Sequence, residues 1–213
     1  MKYIIGNWKL NGSKALLRDF FDRLDMSLAG GNVVLCLPYT LLGSVLPGVE
    51  IGAQDVSAHI NGAFTGEISA QMLRETNAKY AIVGHSERRK NFGETSEIVR
   101  EKALRCLEVG IIPVICVEDA SQVVASCPAE GEFIIAYEPV SAIGTGTVPS
   151  SAEIEIVHTE IHGLVAGKAV LYGGSVKPEN AAEILNIPGV DGVLVGGASL
   201  KPEQFMGIID GRQ

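Results

Sequence analysis

The sequence predicts an α/β fold: a single-domain (β/α)8 barrel with shortened outer helices. Three observations predict it. Eight short apolar runs of strand character alternate with eight helical segments. No composition break or linker divides the chain, so residues 1–213 read as one domain. The mean repeat is about 27 residues, near the lower size limit of an eightfold barrel. An open doubly wound sheet also alternates, but more often uses five or six strands.

Each element carries its own signal. Lys2–Asn7 is a short β-rich run. Ser13 is placed to cap a helix whose Leu16, Leu17, Phe20, Phe21 and Leu24 recur at helical spacing, and Gly30-Gly31 end it. Asn32–Leu37 is almost wholly apolar, as expected of a strand covered on both faces. A short helix over Thr40–Leu46 precedes the third strand, Val49–Gln54. Ile68–Glu75 reads as helix and Tyr80–Val83 as strand. Thr95 caps a helix with Val99, Ala103, Cys106 and Leu107 on one face and Gly110 at its end. Ile111–Val117 and Phe133–Tyr137 are strands separated by a weak helix within Ala120–Ser126. Ala152–Val165 places Ile154, Val157, Ile161 and Leu164 on one stripe. Lys168–Tyr172 is a strand, and Pro178–Leu185 a short helix with proline in its first turn. Gly192–Val195 and Pro202–Ile209 supply the last strand and helix.

Apolar residues make up 46% and charged residues 20%, a globular composition. The net charge of -8 argues against sequence-independent nucleic-acid binding. It leaves an anionic substrate open, because a local site can be positive on an acidic protein. Met1–Gly6 is too short an apolar run for a signal peptide, and no run reaches transmembrane length, so no membrane partner is expected. Cys36, Cys106, Cys116 and Cys127 form no C-x-x-C pair and cluster with no histidine. They read as reduced thiols of a cytoplasmic protein, with no metal site.

The residues that carry chemistry fall just after strands, where parallel α/β enzymes place it. Lys9, after the first strand, can hold an anion or stabilise developing charge, although a lysine standing alone there is more often a solvated loop residue. Trp8 is free to pack in the core. His85 opens Gly84-His85-Ser86-Glu87-Arg88-Arg89 after the fourth strand. It can act as acid, base or neutral donor, with the following residues as an orienting shell, or be a surface histidine beside an ion-pair cluster. Glu138 ends the sixth strand and enters a small Gly/Thr-rich loop through Pro139, where a carboxylate taken singly is more often a solvated loop residue. Tyr172-Gly173-Gly174-Ser175 and Gly196-Gly197-Ala198-Ser199 follow the seventh and eighth strands, where paired glycines and a helix N-terminus suit a phosphate. Gly144-Thr145-Gly146 lacks the third glycine of a dinucleotide fingerprint, so no cofactor is expected. One carboxylate, one histidine, one lysine and a phosphate cradle suit proton transfer next to a carbonyl.

From Gly6 to Pro202 the chain resembles triosephosphate isomerase. The resemblance rests on Gly6–Gly12, Gly52–Gln54, Gly62–Ser69, Gly84–Arg89, Ala136–Gly146, Tyr172–Ser175 and Asp191–Leu200, in that order. It implies a cofactor-free aldose–ketose isomerase of glycolysis and gluconeogenesis acting on glyceraldehyde 3-phosphate and dihydroxyacetone phosphate. Glu138 matches the family's proton-shuttling base and His85 its neutral imidazole electrophile. Asn7 and Lys9 match the substrate-binding pair, Glu87 the carboxylate behind it, and Ser86 the resting partner of the base. Gly144, Ser175, Gly196 and Gly197 match the phosphate contacts, and Pro139–Thr145 the lid. The resemblance also implies a homodimer through the loop Ser57–Gly66, with Thr65 meeting the partner subunit near Asn11.

The sequence departs from the family in places. Ser141 stands where the lid usually has tryptophan. Cys116-Val117-Glu118-Asp119 replaces the usual Cys-Ile-Gly-Glu. His162 takes the place of an arginine that pairs with the aspartate matching Asp191, which weakens that pair or makes it pH-sensitive. The connections between strands two and three, five and six, and six and seven are short, so truncated outer helices are expected there. Two classes of function stay open: an active isomerase, favoured by intact Lys9, His85 and Glu138, and a phosphosugar-binding barrel without turnover. Another barrel enzyme on a phosphorylated substrate is the weaker third.

Overall fold

A computed structural model of the chain describes residues 2–25, 32–44, 49–139 and 148–212. Its strands are β1 (Tyr3–Asn7), β2 (Val33–Leu37), β3 (Glu50–Ala53), β4 (Tyr80–Val83), β5 (Ile112–Val117), β6 (Ile134–Tyr137), β7 (Ala169–Tyr172) and β8 (Gly192–Val195). All pair in parallel and in sequence order, and β1 closes on β8 with Ile4 opposite Val193. This is the (β/α)8 barrel.

Alternation along the strands builds two cores. In β2, Val34 and Cys36 join Ile5, Ile82, Val114, Cys116, Ala136, Leu171 and Leu194 inside the barrel. Val33, Leu35 and Leu37 point the other way, into the layer under the helices. A strand buried on both faces must be apolar at every position, which is why these runs lack polar alternation.

The helices are α1 (Lys14–Arg23), α2 (Tyr39–Leu42), α3 (Ala70–Glu75), α4 (Ser86–Phe92), α5 (Ser96–Glu108), α6 (Ala120–Ser126), α7 (Ser151–Leu164), α8 (Pro178–Asn186) and α9 (Pro202–Asp210). Ser13 and Thr95 cap α1 and α5 as expected, accepting from the Leu16 and Ile98 amides. Helix α1 ends at Arg23, well before Gly30-Gly31, which lie outside the described residues. Helix α3 starts at Ala70 because Ser69, not a residue before Ile68, accepts the N-terminal amide. The connection between β5 and β6 does carry a seven-residue helix, α6. That between β6 and β7 does not fit the expected truncation: α7 runs 14 residues behind a Ser150–Glu153 capping box. Helix α4 was not expected at all. Its sequence, SERRKNF, buries no side chain and has no apolar stripe to read.

Candidate active site

The C-terminal ends of the strands surround a cavity of about 580 Å³, within the range of small-molecule sites. It is lined by Asn7, Lys9, His85, Glu138, Ser175, Gly196 and Gly197 among others. These come from the ends of β1, β4, β6, β7 and β8, far apart in sequence.

Glu138 is 2% exposed and His85 6%. His85 Nε2 lies 2.9 Å from one carboxylate oxygen of Glu138. The other oxygen accepts the Ser86 backbone N–H at 2.9 Å. His85 is also the N-cap of α4, and its Nδ1 accepts the Glu87 N–H at 3.2 Å. With Nδ1 as acceptor, the ring carries its proton on Nε2, aimed at the carboxylate. Both contacts use amides of the first turn of one helix, which have no intrahelical partner. Ser86 meets the base through its backbone; its hydroxyl is buried with no hydrogen-bond partner among the described residues.

Lys9 takes a left-handed backbone conformation, φ 51°, that is costly for a residue with a side chain. Asn7 Oδ1 accepts the Lys9 N–H at 3.0 Å and stabilises the turn. The ammonium then meets Glu87 Oε1 at 2.6 Å. Glu87 sits behind the cavity and lines an adjoining one of about 650 Å³ with Tyr39, Asp55 and Phe92. Trp8 packs in the core, edge-on to Phe20, and donates its indole N–H to the Ser199 carbonyl at 3.0 Å.

Gly173 leaves room for the base. A Cβ there would stand 3.0 Å from Glu138 Cγ and 3.1 Å from the Tyr137 carbonyl oxygen. Cys116, wholly buried, has its thiol pushed far above the ordinary range, by burial first and the Glu138 charge second; it stays neutral and is no nucleophile. Outside the cavity, Lys102 meets Asp55 at 2.6 Å and Glu94 at 2.5 Å, and Arg88 meets the same two carboxylates at 2.8 and 2.6 Å. Burial raises the Asp55 pKa, with Lys102 opposing it. His162 Nε2 lies 2.8 Å from the Gly189 carbonyl and 3.3 Å from Asp191, so the imidazole faces the expected aspartate but sits nearer a backbone oxygen.

The structure therefore brings Asn7, Lys9, His85, Glu138, Ser175, Gly196 and Gly197 to one cavity, with Glu87 adjoining. Gly144 and Ser141 fall in residues 140–147, outside the described residues. Gly173 appears in the sequence as half of a glycine pair suited to a phosphate; nothing there signals that its Cβ is excluded by the base. Among the described residues, no three His, Cys, Asp or Glu side chains are grouped to hold a metal ion. The four cysteines are free thiols, three of them buried.

The family profile described as triosephosphate isomerase matches residues 2–212. A triosephosphate isomerase of Cupriavidus pinatubonensis is 43% identical over 239 residues, covering 97% of this chain and 98% of that protein. One from Granulibacter bethesdensis is 41% identical over 242 residues, covering 97% of each chain. The crystal structure of triosephosphate isomerase from Bartonella henselae superposes with a TM-score of 0.89 at 35% identity, covering 99% of this chain and 98% of that one. Fold, cavity and these likenesses agree, and the chain belongs to the triosephosphate isomerase family.

Proposed function

We propose that the chain interconverts D-glyceraldehyde 3-phosphate and dihydroxyacetone phosphate, using Glu138 as a single proton-carrying base. The observation that carries this reading is the buried His85–Glu138 contact, with the ring proton placed on Nε2 by the α4 cap. The Glu138 carboxylate takes a proton from the carbon beside the substrate carbonyl. His85 Nε2–H turns from the carboxylate to the carbonyl oxygen, and Lys9 supplies positive charge, so the enediolate forms against fixed donors. The same carboxylate returns the proton to the neighbouring carbon, while His85 Nε2 gives its proton to the former carbonyl oxygen and takes one back from the former hydroxyl, so carbonyl and hydroxyl exchange places. Asn7 orients Lys9, and Glu87 holds its ammonium between turnovers. Ser175, Gly196 and Gly197, with Gly144, take the phosphate on backbone and hydroxyl donors.

The experiment is turnover of the purified chain, alongside Glu138→Asp. Shortening the base by one methylene moves it about 1 Å, which costs about 10²-fold or more in kcat while leaving phosphate binding in place. A wild type that binds a phosphorylated enediolate mimic without turning over triose phosphate would establish the binding-only reading instead.

Residues 1–213 act as one domain in this reading, in the cytoplasm, as a homodimer. Four free thiols favour a reducing compartment, and no described helix is long and apolar enough to cross a membrane. The dimer is supported by the loop from Ser57 to Gly66, whose Ile60 and Phe64 are 62% and 42% exposed. The cavity beside Glu87 would receive such a loop from a partner subunit. Phe92, at its rim, is also exposed.

A further inference from the structure

Helix α4 supplies the amides that hold both His85 and Glu138, yet none of its own side chains is buried. Apolar packing therefore does not fix its position, and polar anchors must. Its two consecutive arginines divide this work. Arg88 turns to the carboxylates of Asp55 and Glu94. Arg89 makes no ion pair among the described residues and spends its planar fork on neutral acceptors of four different segments. Its Nε donates to the Gly84 carbonyl at the end of β4, at 2.8 Å. One Nη donates to the Cys116 carbonyl in β5 and to Ser126 Oγ at the end of α6, both at 3.1 Å. The other reaches Ser96 Oγ, at the start of α5, at 3.3 Å.

Two further features fit this arrangement. Gly84 has φ +67°, and a Cβ there would stand 3.0 Å from the Arg89 guanidinium and 2.7 Å from Val99. Ser126 is completely buried, and its hydroxyl oxygen accepts from Arg89.

We propose that Arg89 is a positioning residue for the isomerisation: it locks the first turn of α4 to β4, β5, α5 and α6, and thereby sets His85 and Glu138. The proposal rests on the isomerase reading above. The guanidinium suits the task because its donors leave one plane in fixed directions, which a lysine cannot reproduce. Loss of the lock lets the first turn drift, and displacement of reacting groups by about 1 Å costs about 10²-fold in rate.

The test compares wild type, Arg89→Met, Arg89→Lys and Ser126→Ala. It measures kcat and KM for triose phosphate, competition by inorganic phosphate, and the ¹⁵N shifts of the His85 ring in the folded proteins. Arg89→Met is expected to lower kcat about 10²-fold, with KM and phosphate inhibition changed less than about threefold. The His85 Nδ1 shift should move as its amide bond loosens. Arg89→Lys should fall between, and Ser126→Ala, losing one acceptor of four, should cost only a few-fold. Wild-type kcat in folded Arg89→Met overturns the proposal, as does a fall in kcat matched by the loss of folded protein with unmoved His85 shifts. If Arg89→Met does not fold, unchanged kcat and unchanged shifts in both other variants overturn it. Absence of turnover in wild type would refute the isomerase reading alone, because the ring shifts report the lock independently.

Discussion

At position 158 the chain buries an imidazole with half its hydrogen-bonding capacity unused. His158 Nδ1 meets the Gly189 carbonyl at 3.1 Å, while Nε2 is buried without a hydrogen-bond partner. The ring packs edge-on to Tyr137, 5.9 Å between centroids. Burial lowers its pKa from 6.5 to about 4; His162 and Lys2 push the same way, and the Gly189 carbonyl and Asp191 oppose. The unfolded chain thus binds this proton at higher pH than the folded one. The stability conferred by neutral His158 is complete above pH 6.5 and is lost as pH falls through about 4. The full loss is on the order of 3 kcal/mol. Urea midpoints between pH 4 and 7 should therefore fall less steeply for His158→Asn than for wild type; identical slopes would refute the assignment. The sequence hides this residue: it lies one helical turn beyond Ile154, on a stripe where Val157 is the natural apolar choice. Glu138 and His85 are legible for the opposite reason, since an ionisable group directly after an apolar run breaks the local pattern. The sequence leaves Trp8 free to pack in the core without saying what its indole N–H would meet. That partner is the Ser199 carbonyl, at the other end of the chain.

Among the elements, legibility follows the source of stability. Strands and the longer helices are written in apolar spacing and caps, and are readable from them. Helix α4 is placed by long-range polar bonds and is not. Helix α6 lies between these cases. It is brief, and Asp119 caps it, accepting from the Gln122 amide at 3.0 Å. The Ser121 hydroxyl and then the Gln122 amide hold this carboxyl below its usual range. Asp119→Ala is expected to cost about 1 kcal/mol in a thermal or urea melt; no change would mean that α6 is held by its neighbours alone. Full-length α7 corrects the expectation of truncation between β6 and β7, which rested on segment length. The connection from Glu138 to Lys168 is long enough to give 14 residues to helix. The relatives align over 239 and 242 residues against a chain of 213. All eight strands are nonetheless present and paired in a closed barrel.

For the whole molecule, eight alternating units suggest a barrel, but closure is a pairing between the first and last strands that no local pattern encodes. Sedimentation of wild type is expected at twice the chain mass. Phe64→Asp, which places a charge at the loop tip and removes the stack of Phe64 on His59, is expected to give monomer with reduced kcat. A fully active monomeric wild type would overturn the dimer reading. Closure has a consequence for how the chain is made. Besides β2, β1 pairs with β8, and the Trp8 indole bonds to Ser199, so one side of the first strand waits for the last strand. During that interval one edge of the growing sheet presents unpaired amides and carbonyls, the template on which strands of other nascent chains add. Synthesis of this barrel is therefore most vulnerable just before it ends, and slowing translation ahead of Gly192 should raise aggregation more than slowing it elsewhere.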